Sequence, residues 1–197
     1  MRRKRKYLDA LFEIAETQLG YFTASQAREA ELNPAVLVLM ANREVIERVS
    51  RGVYRLTRYP SSPRDSLMEA MLWPQAKSGS PLGVISHESA LAFYEMSEVS
   101  PSKIHVTIPS DARIRRDVPP YLTIHRAMLP PEDIRKVDGI LVTTPEKSIH
   151  DVAASHLGPA LLRQAIEDGA RRGQLTASQT QRLEQQYSID HHVAKIR

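Results

Sequence analysis

The chain has 197 residues, of which 42% are apolar and 25% charged, with 13 prolines and no cysteine. That balance supports one or two packed globular domains and excludes disulfides, thiolate nucleophiles and Cys-ligated zinc. The net charge of +4 sits wholly at the front: residues 1–60 hold 11 Lys/Arg against 7 Asp/Glu, while residues 61–197 hold 16 of each, so a polyanion is drawn to that end.

Residues 4–18 carry Tyr7, Leu8, Leu11, Ile14 and Ala15 at spacings of three and four, which predicts an amphipathic helix ended by Gly20. Arg2, Arg3, Lys4, Arg5 and Lys6 precede its apolar stripe as a basic arm. Thr23 with Gln26 three residues on forms a capping-box signal for a second helix, about Ala24 to Ala30. Asn33-Pro34 places a cap and then a proline at the first helical position, opening a third helix to about Asn42. Two β-rich runs, 45–50 and 53–56, flank Arg51-Gly52 and predict a tight hairpin. Helix, helix, short turn, helix, hairpin is the order of a winged helix-turn-helix.

Tyr59 to Pro63 reads as a linker. Beyond it, helices are predicted over Arg64–Trp73, His87–Met96, Pro145–His156, Pro159–Arg171 and Ala177–Tyr187. Strands are predicted over 83–86, Ile104–Pro109, Leu122–Arg126 and Gly139–Thr143. The fold class is therefore α+β: a winged helix-turn-helix over residues 1–60, then a mixed α/β domain over 64–190. The tail around His191-His192 has no periodicity.

A winged helix places its last helix in the major groove of double-stranded DNA and its hairpin along the backbone. Arg48, Arg51 and Arg55 sit on or beside the hairpin and, with residues 2–6, are candidates to neutralise phosphates. The third helix is unusually apolar, and Asn33, Asn42 and Arg43 are its only conventional base or phosphate readers. The rival reading makes that helix core or a protein contact, and the winged helix a docking module.

Four segments in order carry a resemblance. They are Gly20–Ala27 with Glu47–Leu56, Ile85–Leu91, Ile104–Pro109 and Asp138–Asp151. Together, over roughly residues 15–175, they resemble the AbiEi family of type IV antitoxins. The resemblance implies an autorepressor that binds inverted repeats in its own promoter. It also implies that the C-terminal part is an antitoxin domain, which counters a nucleotidyltransferase-like toxin directly or indirectly. A lone regulator without a toxin is the alternative it leaves open.

Nothing in the second domain reads as an enzyme. Ser86-His87-Glu88-Ser89 holds a serine and a histidine, but triads are assembled from distant positions, and Ser86 reads better as a helix cap. Glu146-Lys147 lacks the spacer of an acid-x-Lys nuclease pair; Glu146 suits a helix start, and Lys147 with Asp151 suits a helix-face pair. Adjacent His191 and His192 make a poor chelate, and no glycine-rich phosphate loop occurs. No cofactor or metal is expected. The loop Ser110–Asp117 carries Arg113, Arg115 and Arg116, and Arg171-Arg172 forms a smaller cluster. The loop arginines are candidates to meet an acidic partner or flanking DNA. No apolar run reaches the roughly 20 residues of a membrane span, and no apolar core follows the basic N-terminus. A cytoplasmic protein with no membrane partner is expected.

Overall fold

The computed structural model describes residues 2–75 and 83–188, without the side chains of residues 2–7. Helix α1 (Arg2–Glu16) places Leu11 and Ala15 fully inside. Strand β1 (Tyr21–Thr23) follows after a four-residue turn and is buried throughout. Thr23 then caps α2 (Ala24–Glu29): Gln26 N donates to Thr23 Oγ1 at 3.1 Å, and Thr23 N donates to Gln26 Oε1 at 2.8 Å. This reciprocal pair is the expected capping box. Asn33 caps α3 (Pro34–Asn42), its Oδ1 accepting from Ala35 N at 2.9 Å. Strands β2 (Ile46–Ser50) and β3 (Val53–Leu56) form the hairpin around Arg51-Gly52, with a bulge between Arg48 and Ser50.

The three strands form an antiparallel sheet in the order β1-β3-β2, pairing Tyr21 with Arg55 and Glu47 with Arg55. The core is Leu11, Ala15, Phe22, Ala27, Leu32, Leu37, Ile46 and Leu56. Phe22, fully buried, stacks on Tyr54 with ring centroids 5.6 Å apart.

Helix α4 (Asp65–Leu72) buries Met68, Ala70, Met71 and Leu72. A second sheet has the order β6-β5-β4-β8-β7, built from β4 (Val84–Ile85), β5 (Ile104–Ile108), β6 (Leu122–Arg126), β7 (Ile134–Val137) and β8 (Ile140–Thr143). Pairing is antiparallel for β4–β5 and parallel for β5–β6 and β4–β8. A single 3-10 turn, Pro131–Asp133, precedes β7. Asp138 and Gly139, at φ 49° and 83°, make the turn between β7 and β8, as Asp-Gly does in two-residue hairpins. A Cβ at Gly139 would lie 2.2 Å from the Thr17 carbonyl oxygen, so this position requires glycine on two counts.

The remaining helices are α5 (His87–Phe93), α6 (Pro145–Ala154), α7 (Pro159–Arg171) and α8 (Ala177–Gln186). Leu91, Met96, Ile149, Val152, Ile166 and Leu183 are fully buried there. Asp168, also buried, accepts from Ser97 N at 2.9 Å. Glu146 accepts from Gln179 at 2.7 Å and from Arg182 at 2.9 Å. Partial burial pushes its carboxyl up, but these bonds outweigh it and the net shift is downward. Lys147 and Asp151 form the expected i,i+4 pair.

The fold is mixed α+β, and the chain divides into two units. One comprises residues 1–85 and 103–142, the other 86–102 and 143 onward. The division therefore does not fall at the linker 59–63. Four further features depart from the sequence reading. Strands β1 and β7 were not expected. Helix α1 begins at Arg2, so Arg2, Arg3, Lys4, Arg5 and Lys6 lie within its first turns and not on an arm before it. Ser86 makes no side-chain cap bond to α5; its Oγ lies 2.9 Å from Nδ1 of His87, which takes φ 53°. Adjacent serine and histidine thus do meet, through a local backbone kink. The His191-His192 tail lies outside the described residues.

Candidate nucleic-acid interface

The hairpin presents its cations unequally. Arg48 on β2 and Arg51 at the turn are exposed and have no ion-pair partner among the described residues. Arg55 lies on β3, the central strand, and its side chain is only 12% exposed. It pairs with Glu47 at 3.4 Å and Asp65 at 3.5 Å, and donates to the carbonyls of Tyr59 and Pro60 at 3.0 and 3.1 Å. Its guanidinium also lies 5.6 Å from the centre of the Tyr21 ring. Burial, seconded by Asp65, pushes the Tyr21 hydroxyl up to about 12. Arg55 therefore fastens the sheet to the following segment and is not free to meet a phosphate.

Helix α3 buries Leu37 and turns Ala35, Val38, Leu39, Asn42 and Arg43 outward. Val38 and Leu39 are 61% and 41% exposed. The outer surface of this helix is thus apolar at its middle, with Asn42 and Arg43 at its C-terminal end. Asn33 is exposed, but its side-chain oxygen already accepts the cap bond from Ala35 N, which fixes the amide at the start of the helix. Phe12 and Val45 are also exposed and, with Arg43 and Arg58, line a groove beside Leu8 and Tyr59.

The basic loop after β5 lies within the same unit as the hairpin. Arg113 and Arg115 are exposed. Arg116 is half-buried: it lies over the Trp73 ring at 4.1 Å, donates to Arg51 O at 2.7 Å and also donates to Trp73 O. Gln75 Nε2 donates to the same Arg51 carbonyl at 3.2 Å. The turn backbone is thereby held while the Arg51 side chain projects. These three loop arginines, Arg51 and Arg28 of α2 border one cavity of about 360 Å³. Burial, and then the nearby Arg51 charge, shift the Arg116 guanidinium downward. The sequence reading missed Arg28 and Arg58. Only the pairing of distant segments brings Arg28 beside Arg51.

Residues 9–57 match the model of a family described as "Transcriptional regulator, AbiEi antitoxin". No curated protein matches the chain. Among solved structures, the chain is similar to the crystal structure of the RV2827C protein from Mycobacterium tuberculosis. The identity is 13%, the TM-score 0.50, and the match covers 91% of this chain and 71% of that one. That likeness is one of fold. No helix among the described residues is long and apolar enough to cross a membrane.

Proposed function

We propose that the chain is a DNA-binding transcriptional regulator whose residues 1–60 form a winged helix-turn-helix. The observation that carries this reading is the exposure of Arg48 and Arg51, without carboxylate partners, on a hairpin that directly follows α3. The excess positive charge of this segment and the regulator family matched over residues 9–57 support it. In this reading Arg48 and Arg51 neutralise phosphates, Arg43 and Asn42 reach the groove edge, and the basic turns at residues 2–6 add non-specific attraction. Arg55 has no part in it. The finer function is that of an autorepressor acting on inverted repeats in its own promoter. Residues 64–190 would then act as the antitoxin domain against a nucleotidyltransferase-like toxin; this part rests on the four-segment resemblance alone.

Binding of the full chain to its own upstream region, titrated with salt, tests the reading. Each lost phosphate contact lowers the salt slope by about 0.9. The Arg48→Ala/Arg51→Ala variant is expected to lower it by about 2 on every duplex tested. An unchanged slope counts against the hairpin as the phosphate-gripping element. Co-expression with a toxin encoded beside it tests the antitoxin part.

A second reading has its own observation. Val38 and Leu39 form an exposed apolar patch on the helix that should read bases, and such surface suits a protein contact. If α3 is such a contact, Val38→Lys leaves non-specific DNA affinity intact and disrupts an oligomer seen by analytical ultracentrifugation.

A further inference from the structure

We infer that the arginine-bordered cavity between α2, the hairpin turn and the loop after β5 is a binding site for a small polyphosphate. It shares Arg51 with the duplex-binding surface proposed above, its other four arginines lie outside that surface, and the inference does not rest on that reading.

Three observations support the inference. First, five arginines from three separate segments, Arg28, Arg51, Arg113, Arg115 and Arg116, line a single cavity of about 360 Å³. That size lies in the range of small-ligand pockets, roughly 300–1,000 Å³. Second, none of the five has a carboxylate within ion-pair distance among the described residues, although Asp111 and Asp117 lie on the same loop. Arginines gathered to stabilise a fold are paired, as Arg55, Arg64, Arg172 and Arg182 are here. Third, among the described residues Arg116 is held by two carbonyls and the Trp73 face, with no carboxylate in ion-pair distance, so its half-buried charge is oriented but not neutralised there. Like charges brought together at partial burial repel, and an anion seated among them screens the repulsion and offsets the cost of desolvation by direct attraction.

The shape and the donor type decide the class. Planar guanidinium forks match phosphate oxygens two at a time, and a triphosphate chain supplies enough negative charge to balance several of them. Pro74 and Ile114 give the cavity apolar wall, against which an attached organic group can lie. A duplex offers its phosphates on the outside of a rod and is met by projecting elements such as a hairpin, not by a concave pocket.

Trp73 is the single tryptophan of the chain and lies directly beneath Arg116, so its fluorescence reports on the site. The full chain is titrated with inorganic tripolyphosphate in 0.15 M NaCl without divalent cations, followed by Trp73 emission and by calorimetry. The expected result is saturable 1:1 binding in the micromolar range, weakened about tenfold or more in Arg113→Ala/Arg115→Ala, since each change removes a charge-assisted bond. Arg48→Ala, which lies outside the cavity, is expected to bind as the parent does. ATP in place of tripolyphosphate is expected to bind at least as tightly. No saturation below 1 mM (about the weakest affinity worth calling a site), an equal response to sulfate at matched ionic strength, or unchanged affinity in the loop variant each overturns the inference. So does a loop variant that loses duplex binding as far as Arg48→Ala/Arg51→Ala while tripolyphosphate fails to saturate the parent.

Discussion

Replacing Arg55 by alanine separates an arginine that grips DNA from one that holds the protein together. In the structure its side chain is 12% exposed, donates to two carbonyls, and sits beside Glu47 and Asp65. Truncation leaves those carbonyls short of a donor and the half-buried Asp65 without its cation. One Asp65 oxygen already lacks a hydrogen-bond partner. Hydrogen bonds to a charged group contribute about 1.5–3 kcal/mol each, and breaking a buried pair by removing one partner costs about 3–5 kcal/mol. These terms overlap, so about 3 kcal/mol is the expected loss. With a urea m-value near 2 kcal/mol/M for a protein of this size, the midpoint falls by about 1.5 M. Arg48→Ala, exposed and unpaired, is expected to move it by less than about 0.3 M, within the usual ±0.5 kcal/mol of surface changes. Urea unfolding followed by circular dichroism measures both, and the salt slope of DNA binding is read on the same proteins. The reasoning is refuted if Arg55→Ala unfolds at the parental midpoint while its salt slope falls by about 1.

Three further outcomes follow from the same structure. Gly139→Ala combines a left-handed backbone with a collision against the Thr17 carbonyl and is expected to destabilise by more than about 2 kcal/mol; Gly173→Ala, at φ 68° with open space around it, carries only the conformational penalty of about 1 kcal/mol. Phe22→Ala empties a fully buried site and is expected to cost about 3–5 kcal/mol in equilibrium unfolding. His125 is pushed down to about 4 by burial and then by His105, whose Nδ1 lies 3.1 Å from its Nε2. The unfolded chain therefore binds a proton there before the folded one does, and stability is expected to fall as pH drops from about 6.5 toward 4. His125→Gln should flatten that part of the profile; an unchanged pH dependence would show that His125 does not set it.

Elements carried by local signals were legible in the sequence. A cap followed by proline gives α3 its bounds, proline at the first position starts α7, and alternation around Arg51-Gly52 gives the hairpin. Strand β1 was not legible because three residues, two aromatic and then the Thr23 cap, have no period of their own and become a strand by pairing with β3. Strand β7 sets Arg135 and Lys136 side by side between Ile134 and Val137, which breaks the alternation that marks a strand. The division into units was hidden because β4 and β5, neighbours in the sheet, bracket α5 in the chain. The same cause limited the candidate site. Arg48 and Arg51 could be placed from hairpin geometry alone. Arg55 could not, because its fate depends on lying between Glu47 and a strand the reading lacked. The loop after β5 was visibly basic, but nothing in its own residues placed Trp73 beneath Arg116.

The interleaving of the two units has a consequence for biosynthesis. The unit that begins at the N-terminus closes only with residues 103–142, and the helical one resumes only after them. A ribosome that has made the hairpin has not yet made the arginine that clasps its turn, nor the glycine that seats against Thr17. The emerging front segment must therefore wait, with those surfaces wetted, for some eighty residues of further translation. A fragment cut after residue 60 keeps its own small core but forfeits both fastenings for good.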